Sequence, residues 1–200
     1  DDDVEYYSNM RAFDAVRRSD VCLLVVDSVE GLTEQDVKII GYVHEQGKPS
    51  VILMNKWDLV EKDAYTVNKF EEKLKQDLKF MDYYKSIYIS AKTGQRVDKI
   101  FAVAEEAYAH ASFRIPTGAL NDLIGDAVRL NEPPSYLGRR MKVYFSSQVG
   151  VCPPVFVLFV NDEGLMHFSY ERYLENIIRA AYDFSGTPIK IFAREKKNDD

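Results

Sequence analysis

The stretch Ser50-Val51-Ile52-Leu53-Met54-Asn55-Lys56-Trp57-Asp58 runs from an unbroken apolar segment straight into a polar turn. A strand with no wet face belongs inside a parallel sheet that is covered on both sides. The same grammar recurs around it. Val21–Asp27 is a second continuous apolar run, and Ser86–Ile89 is a third, followed at once by Ser90-Ala91-Lys92. Amphipathic helices are expected between them. Met10, Phe13 and Val16 put one over Arg11–Ser19. Thr33 and Asp36 have the spacing of a capping box, with Asp in place of Glu or Gln, and open a helix carrying Val37, Ile40 and Val43. Gly47 and Pro49 end it. Phe70, Leu74, Leu78 and Met81 form the stripe of a third helix, and Val97, Ile100, Phe101, Ala104 and Tyr108 that of a fourth. Alternating strands and helices predict an α/β layer architecture.

After residue 112 the pattern changes. Pro116-Thr117 starts a short helix bearing Leu120, Leu123, Ile124 and Val128, which Pro133-Pro134 keeps from continuing. Met141–Ser147 alternates apolar and polar residues, Val155–Val160 reads as a buried strand, Tyr170–Tyr182 as a helix and Ile189–Arg194 as a last strand. Helix, strand, strand, helix, strand is a small α+β domain. Domains are therefore expected at 1–112 and 113–198, divided near His110–Pro116.

Composition narrows the class. The 200 residues are 46% hydrophobic, enough for a real core, and carry a net charge of −6. Residues 1–112 hold 15 Lys/Arg against 21 Asp/Glu, whereas residues 113–198 hold 11 against 9. The second part is thus the better neighbour for a polyanion. No apolar run approaches the roughly 18 residues that span a bilayer, so no membrane is expected. Cys22 and Cys152 lack any metal-binding spacing, and His44, His110 and His167 fall on separate elements. A reducing cytoplasmic setting without a metal site of the chain's own is the expectation.

The chemistry gathers at two strand ends. In an open parallel sheet, ligands sit outside the carboxyl ends of the strands, which brings Asn55-Lys56-Trp57-Asp58 and Ser90-Ala91-Lys92 to one crevice. Asp58 can accept from the N1–H and the N2 amino group of guanine as a charge-assisted bidentate pair. The Ala91 N–H can donate to guanine O6, and Asn55 can tie the loop and reach the base edge. The stems of Lys56 and Lys92 can lie along the two ring faces with their ammonium groups in water. Adenine would offer Asp58 no N1 donor, and sites of this kind reject such analogues by roughly 10⁴-fold or more. Taken singly, Asp58 could cap a turn and Ser90 a helix, but that does not account for their pairing. Trp57 is expected to be partly exposed and is not needed for base readout.

These residues are the N-K-x-D and S-A-K guanine-specificity loops of translation-factor-class GTPases. The resemblance extends along nearly all of the chain. Glu5-Tyr6-Tyr7-Ser8, Pro116-Thr117-Gly118-Ala119-Leu120-Asn121, Pro133-Pro134-Ser135-Tyr136-Leu137-Gly138-Arg139-Arg140, Ser169-Tyr170-Glu171-Arg172-Tyr173-Leu174-Glu175-Asn176 and Gly186-Thr187-Pro188-Ile189 resemble the Der (EngA) family of ribosome-assembly GTPases. That resemblance implies the last three strands of a P-loop-NTPase-type sheet, from the second of two tandem GTPase domains, followed by a KH-like domain. It implies GTP or GDP as ligand, and as partners the large ribosomal subunit or its rRNA and the family's upstream GTPase domains. No GxxxxGK[ST] loop occurs and no DxxG stands before the first helix, so phosphate binding, Mg²⁺ and catalysis are expected from an upstream segment. The 200 residues are expected to be a piece of a longer protein or a truncation product, inactive alone, with a bare apolar edge on Val21–Asp27.

RNA-binding KH domains clamp a strand with a GxxG loop, and no two glycines from residue 113 onward are three apart. The related Era class would keep that loop. RNA contact, if made, would run through Arg139, Arg140 and Lys142 with Arg194, Lys196 and Lys197. The alternative to a GTP-hydrolysing factor is a non-enzymatic module that binds a ribosome or protein through the KH-like domain. The codons upstream of Asp1 separate the two.

Overall fold

The structure, a computed structural model, describes residues 2–196, with side chains from Met10 onward. It divides into two compact units, Asp1–Ala111 with Ser185–Pro188, and Ser112–Phe184 with Ile189–Asp200. Among the described residues, no helix is long and apolar enough to cross a membrane.

Unit 1 is built on a parallel sheet in the order β1 (Cys22–Asp27), β2 (Ser50–Asn55), β3 (Lys85–Tyr88). β2 is central and buried on both faces, as its run of β-branched and long apolar residues demands. Its alternation sorts two cores. Ile52 and Met54 face α2 (Glu34–Glu45) and α3 (Thr66–Asp77), packing with Ile40, Leu74 and Leu78. Val51 and Leu53 face α4 (Ile100–Ser112), packing with Ile87, Ile89 and Ala107. The capping box forms as the sequence reads. Thr33 Oγ1 accepts from the Asp36 N–H at 3.2 Å, and Asp36 accepts from the Thr33 N–H at 2.9 Å. The first helix, α1 (Asp2–Arg18), begins well before the expected Arg11. β1 pairs with β2 alone among the described strands. Its outer residues Leu23 and Val25 are 42% and 60% exposed.

Gly186 completes this unit. Its N–H donates to the Tyr83 carbonyl at 2.7 Å and its carbonyl accepts from the Ser50 N–H at 2.8 Å, at a φ of +81°. A Cβ built there would stand 2.9 Å from the Ala107 Cβ. Left-handed backbone costs a non-glycine residue about 1–2 kcal/mol and overpacking about 1–3 kcal/mol. Gly186→Ala should therefore lower the unfolding free energy by at least about 2 kcal/mol. Gly41 in α2, with nothing within 4 Å of its Cβ position, is the control, since Gly41→Ala should gain about 0.5–1 kcal/mol. Denaturant midpoints that move together for both variants would contradict this.

Unit 2 lays α5 (Thr117–Leu130) and α6 (Phe168–Ala181) on one face of the sheet β6 (Val143–Gly150), β7 (Val155–Val160), β8 (Lys190–Glu195). β6 runs antiparallel and β8 parallel to β7. Ile124, Phe156, Leu158, Leu174 and Ile178 form the centre of the core. A short hairpin, β4 (Ser135–Tyr136) with β5 (Arg139–Arg140), precedes the sheet. β6 starts later than expected because Asn161 takes over the Met141 region. Its side chain accepts from the Lys142 N–H at 2.7 Å and donates to the Arg140 carbonyl at 3.1 Å, satisfying backbone that a ladder would otherwise pair. Asn121 clamps β6 in the same way, accepting from the Ser146 N–H at 2.7 Å and donating to the Ser146 carbonyl at 2.8 Å.

Candidate functional site

Parallel pairing sets the ends of β1, β2 and β3 side by side, with Asp27 in register with Asn55 and Met54 with Tyr88. The turns that leave β2 and β3 are then cross-tied. The Ile89 N–H donates to the Met54 carbonyl at 2.9 Å, the Trp57 N–H to the Ile89 carbonyl at 3.0 Å, and the Ser28 N–H to the Asn55 carbonyl at 2.9 Å. These bonds hold both turns around one cavity of about 340 Å³ lined by Asn55, Lys56, Asp58, Leu59, Ser90, Ala91 and Lys92. The structure thus brings Asn55, Lys56 and Asp58 of the first motif together with Ser90, Ala91 and Lys92 of the second.

Each plays a separate part in the geometry. Asn55 Oδ1 accepts from the Ala91 N–H at 3.0 Å, so the loop tie expected of Asn55 forms through the donor assigned to a ligand oxygen. A carbonyl entering the cavity would share that N–H as a three-centre bond. Ser90 is fully buried; its Oγ accepts from the Thr93 N–H at 3.1 Å, and its backbone pairs with Gln95. It closes a turn, not a helix. Asp58 lies in a single 3₁₀ turn, Trp57–Leu59, and caps nothing. Among the described residues its carboxylate has no hydrogen-bond or ion-pair partner.

One expectation is refined and one corrected. The exposed Lys56 side chain also pairs its ammonium with the Asp27 carboxylate. Lys56 takes a left-handed backbone, φ 61°, beside the end of β1, which turns its side chain across to Asp27. Trp57 is 2% exposed instead of partly exposed. The turn points its indole back into the α3 face, against Phe70 at 5.1 Å and Tyr88 at 4.5 Å between ring centroids, with the Lys62 ammonium 5.5 Å above it. Asp27 is the residue the sequence reading missed. Its signal was an acid at the end of a strand adjacent to β2.

The Lys56 ammonium, followed by the Val29 N–H at 2.9 Å, holds the Asp27 carboxyl below its ordinary value of 3.8, and Asp27 raises Lys56 above 10.5. A depressed carboxyl contributes stability that is present above its unfolded pKa and lost as pH falls through the folded one. A raised ammonium contributes below its unfolded pKa and loses it as pH rises through the folded one. The pair should thus hold the turn between about pH 4 and pH 10. In a ¹³C-carboxyl NMR titration Asp27 should have its midpoint below 3.8, and Lys56→Met should move it upward. An unmoved midpoint would mean that the ion pair is not what depresses it.

In unit 2, Arg139, Arg140, Lys142, Arg194 and Lys196 all lie at the surface. Arg139 pairs with Asp162 at 2.7 Å and Arg140 with Glu132, both at the surface. Lys142 and Arg194 are exposed. The Lys196 ammonium lies 5.8 Å from the Tyr144 ring. Lys197 lies outside the described residues. Arg194 is in register with Phe159, whose ring stacks on Phe145 at 4.2 Å on the sheet face opposite the helices.

Residues 3–110 match the family described as the elongation factor Tu GTP binding domain. Residues 114–194 match the KH-domain-like C-terminal family of EngA bacterial GTPase enzymes. GTPase Der of Alkaliphilus oremlandii is 51% identical over 197 residues, 98% of this chain and 45% of its own length. GTPase Der of Acetivibrio thermocellus is 50% identical over 196 residues, 98% of this chain and 44% of its own length. The chain therefore spans about half the length of the curated relatives it matches. Among solved structures, Era from Aquifex aeolicus shares 13% identity over 93% of this chain and 69% of its own, with a TM-score of 0.42. Elongation factor SelB from Methanococcus maripaludis shares 23% identity over 50% of this chain and 22% of its own, with a TM-score of 0.42.

Proposed function

The chain belongs to the GTPase Der family, and on that premise we propose that it is the guanine-reading and C-terminal part of a longer GTP-binding, GTP-hydrolysing factor for large-ribosomal-subunit assembly in the cytoplasm. The observation that carries the reading is the Asp58 carboxylate, unpaired among the described residues, lining a cavity with Asn55, Lys56, Leu59, Ser90, Ala91 and Lys92. An acceptor-only group with both oxygens free suits two donors side by side, which guanine presents and adenine does not. The Ala91 N–H serves O6 while shared with Asn55, and the Lys92 stem covers one ring face. Lys56 covers the other with its charge anchored on Asp27.

Phosphate binding, Mg²⁺ ligation and activation of the attacking water would be supplied by residues outside these 200. The relatives are about twice as long, and the open apolar edge of β1 suits further strands of the same sheet. In this reading residues 1–112 are the distal part of the family's second GTPase domain and 113–198 its KH-like domain. RNA contact by that domain would run through Arg139, Arg140, Lys142, Arg194, Lys196 and Lys197, with Arg139 and Arg140 exchanging their surface acids for phosphate. Competitive binding of GTP and XTP to the longer protein and its Asp58→Asn variant tests the base-reading role.

A further inference from the structure

Behind the base-reading turn, one carboxylate gathers three hydroxyls. Glu71 of α3 accepts from the Tyr84 hydroxyl at 2.8 Å through Oε2, and from Ser86 Oγ and the Tyr88 hydroxyl, each at 2.5 Å, through Oε1. Ser86 and Tyr88 alternate along β3 and Tyr84 stands just before it, so all three donors reach the carboxylate on α3. Glu71 forms no ion pair among the described residues. Its half-buried charge is balanced by hydroxyl donors alone, which an acceptor-only group can satisfy at one point and a glutamine cannot. Burial, and then the bond to Glu71, hold the Tyr84 and Tyr88 phenols well above their ordinary range, so both remain donors.

Tyr88 links this cluster to the turn. Its ring packs 4.5 Å from the Trp57 indole and edge-on to Phe70 at 6.3 Å, and Phe70 closes on Trp57 at 5.1 Å. Its carbonyl is held by Arg96 at 3.0 Å. The aromatic box that fixes Trp57 is therefore made of one ring from α3 and one from β3, and Glu71 is the bond between those two elements. Asp58 is the next residue along the chain.

We propose that Glu71 is a positioning residue for guanine recognition: by holding the Tyr88 hydroxyl it sets the box around Trp57 and, through Trp57, the aim of the Asp58 carboxylate. The inference rests on the base-reading role proposed for Asp58. A bond that only pinned helix to strand would affect folding and leave base choice alone, so the readout is the ratio of GTP to XTP affinity in the full-length protein. Glu71→Met, which leaves the hydroxyls no acceptor, and Tyr88→Phe, which keeps the ring, should each narrow that ratio roughly fivefold, the effect of about one net hydrogen bond. The double variant should narrow the ratio no further than the Glu71 variant alone, because that variant already removes the Tyr88–Glu71 bond. Val43→Ala supplies the comparison, since it truncates a separate core shared with Val16 and Cys22 and should lower stability with the ratio intact. If Asp58→Asn reverses the preference while the Glu71 and Tyr88 variants leave it unchanged, the positioning role is overturned and base reading stands. A ratio narrowed equally by Val43→Ala would overturn it as well. If Asp58→Asn also changes nothing, both readings fall.

Discussion

Asp58→Asn in the longer protein should convert a site that prefers GTP into one that prefers XTP. The wild-type carboxylate offers two acceptors to two adjacent donors of guanine, N1–H and the N2 amino group. An amide keeps one acceptor and replaces the other with a donor. That pattern suits xanthine, where a carbonyl stands in place of the amino group. On the proposed reading the wild-type site should disfavour xanthine because two acceptors would face one another, a repulsion that adds to the specificity. Losing the charge-assisted pair should weaken GTP binding by about 3 kcal/mol, more than a hundredfold. Nothing on the protein side compensates, because the Asp58 carboxylate has no other partner among the described residues. The measurement is competition between GTP and XTP with any other nucleotide site of the longer protein disabled. An unchanged preference would remove Asp58 from base recognition and with it the proposed function.

What the sequence made legible were features set by local chemistry or strict periodicity. β2 read true because a run of Val51, Ile52, Leu53 and Met54 has only one stable setting, the middle of a covered sheet. The Thr33–Asp36 box read true because capping is a three-residue affair. The grouping of Asn55–Asp58 with Ser90–Lys92 followed from the topology of parallel strands. Side-chain direction within a turn was not legible. Trp57 sits between two polar neighbours, and only the 3₁₀ turn shows that its indole faces inward while Asp58 faces out. The Lys56–Asp27 pair joins the residue that follows β2 to the last residue of β1, and the register of the two strands brings them together. In unit 2, Arg139 and Arg140 look basic in sequence but meet Asp162 and Glu132 across chain separations that no spacing rule covers. Gly186 likewise reads as a plain turn residue, and its tight fit against Ala107 exists only in the fold.

Trp57→Ala should be the most destabilising single truncation near the site. The indole is 2% exposed and is enclosed by Phe70 and Tyr88, with Met54 and Leu74 in the same core. Removing a buried aromatic of this size costs about 3–5 kcal/mol, the larger values arising where the walls cannot collapse. Collapse is resisted here because one wall, Tyr88, is held by Glu71 and the other, Phe70, is carried on α3. Against a typical domain stability of about 5–15 kcal/mol, such a loss leaves little margin. Trp57→Phe should recover most of it, since a phenyl ring still fills the box. Circular dichroism is the suitable probe, because Trp57 is the sole tryptophan of these 200 residues and its replacement silences their fluorescence. Guanine affinity should fall with it, since the same residue's N–H to Ile89 ties the Asp58 turn to β3 and its anchor would be gone. A Trp57→Ala protein unfolding within about 1 kcal/mol of the wild type would show that the box carries far less than its burial implies. The aim of Asp58 would then have to come from the backbone ties to Met54 and Ile89 alone.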